Sequence, residues 1–358
     1  MLPEEQDGIE VLCKDIFLNA KWDNRICVLF EEGAIYQELK EKNEKIFSLK
    51  SENRNKKRIV KKIVEYCNKE KIDIITVHHE GTSCNIIYIM LQKRLKNVKF
   101  VRYLHLGSGD IYYCSDIKNK LKNIIVKKVM QKAFDISDLL IFISKSVEKS
   151  FVENFKIGNK NKTIIYNGIN NSFFGEVPVK KQFNIIYVGR LVKVKGVDIL
   201  LQAIKKVCKK NVNICVTIVG DGEERQNLER MAKELDVESN VSFVGRQGNV
   251  KKWLDENSLF VYPSRWEEGF GISVVEAMAR GCIPITFKKG GLLEIIENET
   301  NGYLIDTVDY EKLADKILEI FSLPTAKIDE IRKNAIETSK KFTIDNTIKR
   351  LEEEYNNL

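Results

Sequence analysis

The first half of the chain alternates short apolar runs with amphipathic stretches. Residues 26–30, 46–49, 72–77, 100–106, 139–143 and 163–166 are short and rich in β-branched and aromatic side chains, and they read as strands. Between them, 56–69, 117–134 and 146–155 carry apolar residues at helical spacing. Polarity rises over 170–182, where Gly175 and Pro178 interrupt the pattern. The alternation restarts at 183–188 and continues through 214–219, 241–244, 259–262 and 283–286. Strand–helix alternation of this kind predicts parallel sheets covered by helices. The expected fold class is therefore α/β, with two doubly wound, Rossmann-like domains over residues 1–175 and 176–343 and a terminal helix over about 344–355.

A chain of 358 residues with 43% hydrophobic content has length and apolar mass for two cores. No apolar run approaches the ~18 residues of a membrane-spanning helix. Met1-Leu2-Pro3-Glu4-Glu5 is acidic and has neither the charged nor the apolar region of a signal peptide. The eight cysteines form no C-x-x-C pair, and stretches such as Ile26-Cys27-Val28 and Ile214-Cys215-Val216 are apolar. That pattern predicts reduced core thiols and a cytoplasmic protein, not a disulfide frame or a zinc site. Charge is uneven. Residues 1–175 hold 31 Lys and Arg against 22 Asp and Glu, whereas 176–358 hold 28 against 29. The basic half suggests an anionic partner among membrane lipid, on the inner face of the plasma membrane, lipid-linked pyrophosphate, polyanionic glycan and nucleic acid, and of these nucleic acid is not expected.

The most informative segment is Ser264-Arg265-Trp266-Glu267-Glu268-Gly269-Phe270-Gly271-Ile272-Ser273-Val274-Val275-Glu276. Glu268 and Glu276 are separated by seven residues. A Gly-Phe-Gly turn between them opens into an apolar, helix-favouring run that Gly281 stops. One acid thus lies in a loop and the other one turn inside a helix. The helix start offers unpaired N–H groups and partial positive charge, which suit an anion. An anion flanked by two acids suits a sugar nucleotide, with the diphosphate at the helix start and hydroxyl-rich groups on either side. Arg190 and Lys195, five apart in a turn after an apolar strand, can neutralise a diphosphate without a metal.

These residues resemble the retaining glycosyltransferases of family 4, glycosyl transferases group 1. Residues 263–281 look like that family's E-x7-E signature. Val188-Gly189-Arg190-Leu191-Val192-Lys193-Val194-Lys195-Gly196 is similar to its G-R-L-x-x-x-K-G turn. Val219-Gly220-Asp221-Gly222-Glu223-Glu224, Val244-Gly245-Arg246 and Gly290-Gly291-Leu292-Leu293-Glu294-Ile295 match three further stations in order.

The resemblance implies the GT-B architecture, with ligands at strand ends facing a cleft and the terminal helix crossing back to the first domain. It implies a nucleotide-diphosphate sugar as donor and a glycan or lipid-linked acceptor, with no cofactor and no metal. It makes Arg190 and Lys195 the holders of the pyrophosphate, Glu276 the partner of the ribose hydroxyls and Glu268 that of the transferred sugar. Gly189 joins the donor site, and Phe270, Gly271 and Ile272 lend it backbone N–H groups. His105, at the end of the 100–104 strand, would contact the donor sugar. Gly8, in Asp7-Gly8-Ile9-Glu10, would belong to the loop entering the first helix.

The family places an apolar strand before that loop, and Leu2-Pro3-Glu4-Glu5-Gln6 leaves no room for it. A reading frame continuing upstream, or a compromised first domain, is the expectation. His78-His79-Glu80 lacks the spacing of a metal site and reads as a loop at the cleft edge. Gly107-Ser108-Gly109-Asp110 reads as a mobile acceptor-side loop. Two rival functions remain at this level: a sugar-nucleotide epimerase or other GT-B enzyme, and a non-catalytic partner subunit.

Overall fold

The computed structural model of the chain describes residues 8–29, 34–42, 45–49, 55–108, 120–158, 160–180, 184–210 and 214–358. It divides into two compact units. Unit 1 comprises Met1–Gly168 with Ile344–Leu358, and unit 2 comprises Ile169–Thr343.

In unit 1 the elements run α1 (Gly8–Asn19), β1 (Ile26–Val28), α2 (Ala34–Lys42), β2 (Ile46–Ser48), α3 (Lys56–Glu70), β3 (Ile74–Val77), α4 (Thr82–Gln92), β4 (Lys99–Leu104), α5 (Lys120–Asp135), β5 (Leu139–Phe142), α6 (Lys145–Asn154) and β6 (Lys162–Ile164). Strands β3-β4-β5-β6 form a parallel four-stranded sheet, and β1-β2 form a separate parallel pair. Among the described residues no strand hydrogen-bonds both β1 and β3, so the single sheet expected of a doubly wound domain is split. The expected upstream strand concerns a region outside the described residues.

Helix α3 buries one stripe. On α3, Ile59, Val60, Ile63 and Cys67 pack with Tyr88 and Leu91 of α4 and with Phe100 of β4. Asn55 caps α3 by accepting from the N–H groups of Lys57 and Arg58. The terminal helix α13 (Ile344–Asn356) packs Ile344 and Ile348 against Leu12 of α1, and its Tyr355 hydroxyl meets Thr76 Oγ1 at 2.8 Å.

Unit 2 runs β7 (Asn184–Val188), α7 (Val197–Cys208), β8 (Cys215–Val219), α8 (Arg225–Glu234), β9 (Val241–Gly245), α9 (Val250–Asp255), β10 (Leu259–Tyr262), α10 (Ile272–Ala279), β11 (Ile283–Phe287), β12 (Tyr303–Ile305), α11 (Tyr310–Phe321) and α12 (Thr325–Ser339). All six strands are parallel in the order β12-β11-β10-β7-β8-β9. The chain steps outward from β7 to β9, then returns to the other side of β7 with β10. The crevice beyond the carboxyl ends of β7 and β10 is thus the switch point of the sheet, where open α/β sheets bind ligands. Strand β12, three residues of which pair with β11, was not among the strands expected from the sequence pattern.

One expectation about cysteines is corrected. Cys67, Cys84 and Cys282 are buried, but Cys27 and Cys215 are exposed. Both lie in apolar runs, yet strand side chains alternate and these two positions face outward.

Candidate functional site

The turn after β7 carries Arg190 and Lys195, and the loop after β10 carries Glu268. The β7 turn is shaped by its neighbours: Gly189 N–H donates to Val219 O at 3.1 Å, and Leu191 N–H to Asp221 O at 2.8 Å. Arg265 ties the two loops together. Its backbone N–H donates to Val194 O at 2.8 Å, and its guanidinium grips Asp198 at 2.7 and 2.6 Å. That bidentate pair fixes where the β10 loop leaves the sheet.

Lys195 and Glu268 meet. Lys195 Nζ donates to Glu268 Oε1 at 2.8 Å, to Glu268 Oε2 at 3.0 Å and to the Tyr262 hydroxyl at 2.8 Å. The two carboxylate oxygens lie on one side of the ammonium and the Tyr262 hydroxyl on another, so Lys195 is held by both residues. Ser264 Oγ also donates to Glu268 Oε1. The two side chains are only 13% and 9% exposed, so the pair is shielded from water and weakly screened. Lys195 is therefore not the surface cation that its turn suggests; Tyr262 and Glu268 draw it inward. The Tyr262 phenol is pushed well above its ordinary pKa by burial and then by the Glu268 carboxylate, and stays protonated. Arg190 is exposed and makes no ion pair among the described residues. Its carbonyl accepts from the Tyr187 hydroxyl at 2.9 Å, which leaves the guanidinium directed by a pinned backbone.

Gly271 caps the amino end of α10 with φ at +105°, a backbone state that L side chains avoid. No side chain caps this end. Val274 N–H and Val275 N–H donate to Gly271 O at 3.0 and 3.3 Å, which leaves the N–H groups of Ile272 and Ser273 without an intrahelical partner. Phe270 is 2% exposed and packs edge-on against Phe342 at 5.3 Å, so its side chain is a prop and only its backbone can serve a ligand. Glu276 sits one turn inside α10, part-buried between the buried Val275 and Ala277. Arg190, Lys195, Glu268, Gly189, Phe270, Gly271, Ile272 and Glu276 all belong to the carboxyl end of this one sheet. Tyr262, Ser264 and Arg265 were not anticipated from sequence. The signal for Tyr262 was its place as the last residue of β10, where side chains reach the crevice.

The remaining predicted residues belong to unit 1. Gly8 opens α1 and is exposed. His105 follows β4, is 3% exposed, and lies 3.0 Å from His78 through His105 Nε2 and His78 Nδ1. Glu80 is also buried, with Oε1 accepting from His105 N–H at 2.7 Å; burial raises its carboxyl above the ordinary range. His78 and Glu80 are thus more than a loop edge. In the expected mobile loop, Ser108 is anchored to Ser150 at 2.7 and 3.0 Å, while Gly109 and Asp110 lie outside the described residues. Among the described residues, no group of three or more His, Cys, Asp or Glu could hold a metal ion.

Residues 169–342 match the family model of the glycosyl transferases group 1, and residues 19–173 match that of glycosyltransferase family 4. The chain is 30% identical to an uncharacterised glycosyltransferase of Methanocaldococcus jannaschii, over 81% of this chain and 74% of that one. It belongs to the family 4 glycosyltransferases. The transferase is also 28% identical to the N-acetyl-alpha-D-glucosaminyl L-malate synthase of Bacillus anthracis, covering 79% of this chain and 72% of the synthase. Among solved structures it is similar to Anabaena HepE in complex with UDP, with a TM-score of 0.82, 21% identity, and coverage of 99% and 98% of the two chains. That likeness shows the fold of the transferase, the two-domain GT-B architecture.

Proposed function

We propose that the transferase moves a sugar, with retention of anomeric configuration and without a metal ion, from a nucleotide-diphosphate sugar to a glycan or lipid-linked acceptor in surface polysaccharide or glycolipid synthesis. One observation carries the reading. Arg190, the Lys195–Glu268 pair and the open start of α10 converge at the switch point of one sheet. The diphosphate takes the helix start, with Arg190 and Lys195 neutralising it. Lys195 keeps Glu268 and Tyr262 as partners and turns its remaining N–H to a phosphate oxygen. Glu276 accepts from ribose hydroxyls and Glu268 from hydroxyls of the transferred sugar. Solved relatives whose complexes hold UDP or UDP-glucose support a donor of this class.

Charge develops on the departing phosphate as the glycosidic bond lengthens. Arg190 and Lys195 stabilise it, and its oxygen takes the acceptor's proton on the same face of the sugar. No carboxylate is assigned as a covalent nucleophile, so the paired-carboxylate scheme of glycosidases is not invoked. Nucleotide release from a panel of sugar nucleotides, with and without excess chelator, tests the proposal. One donor should react, and the rate should survive the chelator. Loss of the rate to the chelator, restored by metal, would remove the two-cation scheme.

The acceptor side is assigned to the cytoplasmic face of a membrane. On α5, Ile124 and Ile125 are exposed beside exposed Lys127, Lys128 and Lys132; on α3, Lys57, Arg58, Lys61 and Lys62 are exposed. Each basic residue near an anionic bilayer contributes about 1 kcal/mol. Salt-sensitive binding to anionic vesicles, and none to neutral ones, is the expected outcome. Lys118 lies outside the described residues and adds nothing to this argument.

A further inference from the structure

His78 and His105 share one hydrogen bond, and the position of its proton can be argued. Their rings stack at 5.3 Å, and both pack on Tyr103, at 4.9 and 4.6 Å. Both rings are neutral near pH 7. Burial first, then Arg102, pulls His78 from 6.5 down to about 4; burial first, then His78, pulls His105 well below its ordinary value.

Two neutral imidazoles in contact leave two arrangements. If His78 donated, the proton of His105 would sit on its Nδ1. That atom is buried and has no hydrogen-bond partner among the described residues. A buried N–H without an acceptor is the rarer and costlier orphan, and a bare acceptor is better tolerated. The other arrangement puts the His105 proton on Nε2, donated to His78 Nδ1, and leaves His105 Nδ1 as a lone pair. Glu80 holds the backbone of His105 in place through the 2.7 Å bond to its N–H.

We infer that His78 is a positioning residue: by accepting the Nε2–H of His105 it fixes that tautomer and keeps His105 Nδ1 as an acceptor for a ligand hydroxyl. That the hydroxyl belongs to a sugar rests on the transferase reading. The tautomer does not. A sugar O–H donated to Nδ1 satisfies the one ring atom that the fold leaves unpaired, and a protonated His105 could not accept it.

The chain has three histidines, which makes the tautomer directly measurable. Long-range 1H–15N imidazole spectra of the full chain at pH 7, with His79→Gln for assignment, should show His105 protonated on Nε2. Protonation on Nδ1, or an imidazolium, would overturn the inference. His78→Leu should lower the turnover number about tenfold to a hundredfold, with UDP-glucose and UDP-N-acetylglucosamine as probes, and leave UDP affinity unchanged. His78→Asn sets an amide oxygen at the Nδ1 position and should regain most of the loss. Normal turnover in His78→Leu, or no rescue in His78→Asn, also rejects it. Should His78→Leu fail to fold, His78→Asn and the spectra decide alone. Should the wild type turn over neither probe, the sugar nucleotide that reacts in the panel replaces them; should none react, the transferase reading fails, and the spectra still decide the tautomer.

Discussion

The two units solve the same packing problem differently. In unit 2, six parallel strands form one sheet, and every residue of β10 and β11 is buried. In unit 1, the strands divide four and two, and all of β2 and β3 is only part-buried. The chemistry divides less cleanly. Unit 2 combines backbone features, tight turns and a glycine-opened helix start, with the Lys195–Glu268 contact, whose partners lie 73 residues apart. Unit 1 offers His78, Glu80 and His105, joined by folding across 27 and 25 residues. Backbone features leave compact motifs; meeting side chains in either unit do not.

The largest test falls on unit 2. Lys195→Ala should lower turnover about thirty- to a thousandfold, since a charge-assisted contact at a developing charge is worth roughly 2–4 kcal/mol. It should also lower the melting temperature, because Glu268 is left shielded without its cation. Glu268→Gln in the same chain should recover the melting temperature and not the rate. Arg190→Ala should match the rate loss with no change in melting. A stable Lys195→Ala with full activity would reduce the pair to ornament and erase the contrast between the units.

A smaller effect separates the two acids. Glu276→Ala should weaken binding of the donor's nucleoside diphosphate about tenfold to a hundredfold, as hydrogen bonds to a charged group are worth about 1.5–3 kcal/mol. Glu268→Ala should spare that binding and impair transfer. Isothermal titration beside a rate assay checks both, and the opposite pattern would mean that the acids have exchanged roles.

Hydrogen exchange compares the units directly. Amides of β1 and β2 should exchange at least about tenfold faster than those of β10 and β11, because few buried contacts hold the pair. Equal protection would show that the split in unit 1 has no thermodynamic weight.

The smallest effect is a pH dependence confined to unit 1. A histidine depressed from 6.5 to about 4 stabilises the fold fully above 6.5 and loses that contribution as pH falls towards 4. His105 acts with the same sign. Glu80, raised by burial, acts oppositely: its contribution is present at low pH and is lost as pH rises through its elevated value. The melting temperature should therefore fall by a few degrees between pH 6.5 and 4, and His78→Phe should flatten the slope. An unchanged slope in that variant would place the proton uptake elsewhere.

Much of unit 2 was legible in the sequence. Strands 259–262 and 283–286, the helix from Ile272 and both acids fell where periodicity and turn residues put them. The Lys195–Glu268 contact was not, because spacing says nothing about which side chains converge from β7 and β10. It also hid that Lys195 would be shielded, since a turn between polar residues reads as surface. In unit 1 the strands were readable, but their division into two sheets was not, since pairing depends on neighbours far along the chain. His78 looked incidental because its partner lies 27 residues away.

One contact in unit 2 limits how this protein can change. Gly290 and Gly291 lie so close to the β10 loop that a methyl group added to either would sit 2.2 Å from Glu268 O or 2.4 Å from Gly269 O. Gly291 N–H also donates to Glu268 O at 2.7 Å, and Gly290 N–H to Glu267 Oε2 at 2.8 Å. The two segments therefore form a single heritable module. Drift in one is tolerated only with matching drift in the other, and a graft meant to alter sugar choice succeeds only if residues 264–271 and 289–294 are transplanted as one piece.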